Sequence, residues 1–180
     1  MRGKTGGYEI ALARWPEDTD LARELLRNYG QYLAASPVGA AGMCIADYET
    51  ELQNLPGKYA GSDADMLLAR VKNQGAGCVA ITQRVLKDGM LSTEMKRLWV
   101  EPNFRGLGLG RGLVHGAIAW AKAHGSGAVV LDTVNDAMPE AAELYRSMGF
   151  AEIGRFNENP ISEVRFYILK LAARPETNEH

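Results

Sequence analysis

Leu98–Gly125, LWVEPNFRGLGLGRGLVHGAIAWAKAHG, sets three glycines at alternate positions, Gly106, Gly108 and Gly110, directly after Arg105 and before an amphipathic run. Ser92–Val100 reads as a strand that stops at Pro102, and Gly112–His124 reads as a helix with Leu113, Ala117, Ile118 and Ala121 on one stripe. A strand that turns through glycines into a helix offers unpaired backbone N–H groups at the positive end of the helix dipole, a place that favours phosphate oxygens. By itself such a glycine run is equally consistent with a tight turn of no chemical use. A Walker loop would need Lys-Ser or Lys-Thr after the glycines, whereas Gly110 is followed by Arg111 and Gly112. A Rossmann site would place the loop after the first strand; here a hairpin precedes it, although Asp132 at the end of the next strand imitates the ribose-binding acid.

Working outward, Tyr8–Ala13 alternates as a strand, and Pro16–Ala35 carries Leu21, Leu25, Leu26, Tyr29 and Leu33 at helical spacing. Pro37–Ala46 is a small-residue loop, and Asp47–Leu55 a short helix closed by Pro56 and Gly57. Asp65–Lys72 and Gly77–Leu86 form a predicted hairpin around NQGAG. Beyond the glycine loop, Ala128–Thr133 is a buried strand, Pro139–Ser147 a helix stopped by Gly149, and Phe150–Phe156 and Val164–Leu171 two last strands. The expected organisation is a single domain over 7–172 with a flexible tail over 173–180.

The 180 residues carry 20 Lys and Arg against 22 Asp and Glu, a net charge of -2, so nothing in the overall charge argues for a nucleic-acid partner. No stretch reaches the roughly 18 apolar residues of a spanning helix, and neither cysteine, Cys44 or Cys78, has CxxC spacing. A cytoplasmic protein with reduced thiols and no membrane contact is expected. His115, His124 and His180 lack the spaced partners of a metal site or triad, so no metal is expected.

Arg105, Gly108 and Gly110 match Q/R-x-x-G-x-G/A, and AAELYRSMGF sets Tyr145 on a helix just before a Gly-Phe strand start. Together these motifs resemble the GNAT superfamily of acyl-CoA-dependent N-acyltransferases, and the order of elements extends the likeness from Tyr8 to Leu171. The resemblance implies an α/β (α+β) GNAT fold, a mixed, mainly antiparallel sheet flanked by helices, with strands splayed around an acyl-CoA cleft. It implies acetyl-CoA as cosubstrate, with the backbone of Arg105, Gly106, Leu107, Gly108, Leu109 and Gly110 on the pyrophosphate and Arg111 as an extra charge. Leu98, Trp99 and Val100 would run along the pantetheine arm, Leu98 and Val100 pairing with it through their backbone. Many members carry an asparagine where this chain has Met138; Asn135 is out of register and is read as a turn or capping residue.

For transfer to an amine, Tyr145 is the candidate proton donor to the CoA thiolate, against a reading as a core tyrosine. Glu94 is the candidate general base, and it reads equally well as a strand-edge carboxylate paired with Lys96. Period two puts Glu94 on the side of Leu98 and Val100, about 13 Å from Leu98 along the strand. Cys78 reads as core, Tyr48, Tyr59, Trp15, Trp99 and Trp120 mostly as core or pocket wall, while Glu49 and Glu51 either attract an amine or are solvated. The expected acceptor is a small-molecule amine or an amino-acid-like amine, and a homodimer is compatible with the resemblance. An acyl-CoA sensor or scaffold of the same fold is the alternative, and Glu94 with Tyr145 argues for the enzyme.

Overall fold

The computed structural model of the protein describes residues 3–5, 7–36, 45–159 and 162–172. Its strands are β1 (Gly3–Thr5), β2 (Tyr8–Leu12), β3 (Ala64–Val71), β4 (Gln74–Val85), β5 (Leu91–Val100), β6 (Ala128–Val134), β7 (Ala151–Ile153) and β8 (Val164–Lys170). The helices are α1 (Thr19–Ala34), α2 (Ile45–Gln53), α3 (Leu109–Ala123) and α4 (Pro139–Ser147). One sheet joins all eight strands in the order β1-β2-β3-β4-β5-β6-β8-β7. Every neighbouring pair is antiparallel except β5 and β6, which are parallel. This is the mixed, mainly antiparallel arrangement expected from the sequence.

Strand alternation divides the apolar residues between two cores. Leu67, Ile81, Met95 and Leu131 join Leu113, Ala117 and Tyr145 of α3 and α4 on one face. Met66, Leu68, Ala80 and Trp99 join Leu25, Leu26, Tyr48 and Leu52 of α1 and α2 on the other. Complete burial of an aliphatic side chain such as Leu113 stabilises by about 1.5–3 kcal/mol, so both helical layers are firmly seated.

Several boundaries differ from the sequence expectation. The hairpin turns at Lys72 and Asn73, both at positive φ, so only the first residue of NQGAG lies in the turn. Gly75 and Gly77 lie inside β4, where they permit close approach: a Cβ on Gly75 would collide with Leu21 of α1, and one on Gly77 would stand 2.5 Å from the Trp99 carbonyl. Helix α3 begins at Leu109, not at Gly112, whose missing side chain lets the helix settle on Ile10 and Tyr8. The strand expected over 150–156 is only Ala151–Ile153, and β1 was not anticipated. Most of the predicted loop over 37–46, Cys44, His180 and the tail over 173–180 lie outside the described residues.

Candidate functional site

Pairing between β5 and β6 runs from Ser92 with Ala128 to Met95 with Leu131 and then stops, so Lys96–Val100 has no strand on that side. At the same place β5 bulges: Cys78 faces Trp99 while Ala80 faces Lys96, and Arg97 takes a φ of 59°. An extra residue in one strand bends it and unpairs its edge. Leu98 and Val100 thereby have no strand partner on that side, and the Val100 carbonyl there accepts from Arg105 Nε at 3.3 Å.

A pocket of about 460 Å³ opens beside that free edge. It is lined by Leu98, Trp99 and Val100 of β5, by Arg105–Gly106 and Gly108–Arg111, and by Met138, Glu140, Ala141 and Leu144 around α4. Gly108, at φ 80° and ψ 10°, is the N-cap of α3, and no side chain caps the helix. The first backbone bond back to this cap is Gly112 N–H to the Gly108 carbonyl, 3.0 Å, so the N–H groups of Leu109, Gly110 and Arg111 have no intrahelical acceptor. Glycine is needed at 108 because left-handed backbone costs other residues about 1–2 kcal/mol. At Gly110 the reason is contact, since a Cβ there would stand 3.3 Å from Leu144 of α4. The Arg105 guanidinium lies over the rings of Tyr32 and Trp99, each 5.3 Å away, and Nε donates to the Val100 carbonyl at 3.3 Å. Arg111 is tied to Ser147 Oγ at 2.8 Å, and Leu107 is exposed at the loop tip. Apolar walls, a free strand edge and a helix N-terminus with cations nearby suit an apolar arm ending in phosphates.

Tyr145 of α4 is 5% exposed, with its ring against Phe150 and Tyr167. Its hydroxyl makes no hydrogen bond among the described residues, and it is not one of the sealed, unpartnered polar atoms, which are Trp15 Nε1 and Thr19 Oγ1. Burial raises the phenol well above its ordinary value, and the Tyr29 hydroxyl and Asp132 act in the same sense. The group is therefore a protonated donor within electrostatic reach of both.

The bulge corrects the expected position of Glu94. Leu98 and Val100 share the α3 and α4 face with Met95, whereas Glu94, adjacent to Met95, points to the face of Trp99. Nor is Glu94 a solvated edge group: it is 8% exposed, with Arg84 Nη1 at 3.1 Å and Lys96 Nζ at 3.5 Å. Asn157, in the segment between β7 and β8, donates through Nδ2 to Glu94 Oε1 at 3.3 Å and to Asp132 Oδ2 at 2.9 Å.

On the same face Glu51 is not free to attract an amine. Arg97 Nη2 and Lys58 Nζ each lie 3.1 Å from Oε2, and Tyr59 donates to Oε1 at 2.7 Å. Burial alone would raise the Glu51 carboxyl, but Arg97, Tyr59 and Lys58 more than offset it and hold the group at about 2. Cys78 is fully buried and its thiol is pushed up to about 12 by that burial, which disfavours the thiolate that a nucleophile needs at neutral pH. Asn135 bonds the Tyr167 hydroxyl at 3.2 Å, and Met138 stands in the pocket wall. His115 and His124 are exposed, the latter stacked on Trp120. Sequence reasoning missed Asn157 and Asn159, polar residues of a connecting segment that carry no periodic signal.

A sheet that parts between two parallel strands, beside a glycine-led helix N-terminus, is the arrangement expected of the GNAT fold. The family description "Acetyltransferase (GNAT) domain" matches residues 62–152, and the chain belongs to the GNAT acetyltransferases. It is 33% identical to an uncharacterised N-acetyltransferase of Schizosaccharomyces pombe over 94% of this chain and 98% of that one. Among solved structures it is similar to a GNAT-family acetyltransferase of Staphylococcus aureus, with a TM-score of 0.73, 20% identity and coverage of 92% and 99%. A Salmonella typhimurium protein solved with its cofactor acetyl-CoA has a TM-score of 0.69, 17% identity and coverage of 94% and 97%. The protein is an acetyl-CoA-dependent acyltransferase. Among the described residues no helix is long and apolar enough to cross a membrane.

Proposed function

We propose that the protein is an N-acetyltransferase that moves an acetyl group directly from acetyl-CoA to a small primary amine while both are bound. Acetyl-CoA supplies the acyl group as a thioester; the chain supplies positioning and proton traffic. The N–H groups at the start of α3, with Arg105 and Arg111 nearby, hold the pyrophosphate, and the free edge of β5 at Leu98 and Val100 aligns the pantetheine arm. As the new C–N bond forms and the C–S bond breaks, Tyr145 gives its proton to the departing thiolate. Glu94, one register pair before the strands part, takes the proton that the amine sheds, directly or through water. The hydroxyl of the otherwise buried Tyr145, without a hydrogen-bond partner among the described residues, is the observation that carries this reading. A core tyrosine pairs its hydroxyl, whereas a proton donor keeps it open to the substrate. Residues 7–172 are taken as one catalytic domain because β2 to β8 join a single sheet, to which β1 (Gly3–Thr5) adds an edge strand before that range, and the cytoplasm is the proposed site of action.

The test is release of free thiol from acetyl-CoA with a panel of primary amines, set beside calorimetric binding of CoA. Turnover with at least one amine supports the reading. Tight binding with no turnover across the panel makes the protein a sensor instead.

A further inference from the structure

On the reading just given, the acceptor itself has a charge signature. We propose that Asp132 is the acceptor-binding carboxylate and that the acceptor is a cationic primary amine with no carboxylate beside its amino group. Asp132 is the first residue of β6 beyond the last pair with β5, Leu131 with Met95, so it stands at the mouth of the gap. Successive strand residues alternate faces, which puts it opposite Leu131 and on the face of Glu94.

Three observations converge on this carboxylate. First, its partners are neutral: Asn157 and Asn159 both donate to Oδ2 at 2.9 Å, and among the described residues Oδ1 accepts no hydrogen bond and no cation pairs with the group. Second, cations on this face are already engaged, Arg97 with Glu51, both Arg84 and Lys96 with Glu94, and Arg155 with the Phe166 ring and the Asn159 carbonyl. The segment between α1 and α2, residues 37–44, contains no Asp, Glu, Lys or Arg to alter that balance. Third, Asp132 lies within electrostatic reach of Tyr145 and of Tyr29.

A carboxylate left with only amide partners gains most from a positively charged ligand, because charge-assisted hydrogen bonds exceed neutral ones. An ammonium on Oδ1 sits next to Glu94: one nitrogen, Asn157 Nδ2, already touches both acids, so their oxygens are no farther apart than its two bonds allow. The ammonium therefore docks on Asp132 and sheds its proton to Glu94, and the neutral amine attacks the thioester carbon. An amino-acid acceptor would bring its own carboxylate up to Asp132, and like charges at that distance repel.

The test compares matched acceptors that differ only in the carboxylate, histamine with histidine, tyramine with tyrosine and tryptamine with tryptophan. We expect kcat/KM to favour the amine of each pair by at least about 10-fold. Asp132→Asn is near isosteric, and its amide oxygen still accepts from Asn157 and Asn159. It should raise KM for the amines about 10- to 100-fold while calorimetric affinity for CoA, which also reports folding, stays unchanged. Amino acids used as well as or better than their amines, or unchanged amine KM in Asp132→Asn, overturn the assignment and leave N-acetyl transfer standing. No turnover with any amine, with CoA still bound, overturns the acetyltransferase reading and this one together.

Discussion

Replacing Tyr145 by Phe removes one oxygen from the centre of the site and leaves the ring contacts with Phe150 and Tyr167, at centroid distances of 5.7 and 6.2 Å, in place. The hydroxyl has no hydrogen-bond partner among the described residues, so the folded state loses no internal bond and stability should change by no more than about 0.5 kcal/mol. A bond to a developing thiolate is charge-assisted and contributes about 1.5–3 kcal/mol, and each 1.4 kcal/mol or so is tenfold in rate. The expected fall in kcat is therefore about 10- to 150-fold, with KM for acetyl-CoA unchanged, because the interaction develops only as the C–S bond breaks. Burial holds the phenol protonated above its ordinary value, so the deficit should be constant from about pH 7 to 9. The assay is steady-state thiol release at saturating concentrations of both substrates, with thermal unfolding measured alongside. An unchanged kcat would return Tyr145 to the core, and so would a loss matched by an equal loss of CoA affinity.

Glu94→Gln should slow the reaction at neutral pH and recover part of the rate in alkali, where solvent deprotonates the amine; a pH profile equally low throughout would mean that Glu94 only positions. Gly108→Val forces a β-branched residue to a φ of 80° and should weaken calorimetric CoA binding by at least about tenfold in a protein that still folds; unchanged binding would refute the pyrophosphate assignment. Glu51, held at about 2 against an ordinary 4.5, contributes stability that is complete above the higher value and lost as pH falls through the lower one. Denaturant titrations should show about 3 kcal/mol lost between about pH 5 and 2 from this group, a loss absent from Glu51→Gln.

The pyrophosphate loop and the tyrosine helix were legible because backbone chemistry leaves marks in residue type: glycines at a helix start, and Tyr145 at a fixed distance from Gly149. The order of elements was legible from hydrophobic period. Glycines that serve packing misled, since Gly75, Gly77 and Gly112 resemble turn residues, yet each lies inside an element where another chain segment comes close. The bulge at Arg97 had no signature, because an arginine at positive φ follows from the pairing of β5 with β4 rather than from the arginine itself. That single inserted residue moved Glu94 to the opposite face from Leu98. In sequence Asp132 is a strand-end acid like many others, and its meaning depends on Asn157 and Asn159, which arrive from the segment between β7 and β8. Long-range pairings of this kind cannot be read from local pattern.

Direct transfer between two substrates bound together is the central claim, and initial velocities with acetyl-CoA and a cationic amine varied against one another test it most directly. With the Cys78 thiol kept inert by burial and no acyl carrier in the mechanism, the double-reciprocal lines should intersect. Parallel lines, with an acetylated enzyme seen by mass spectrometry before amine is added, would contradict it.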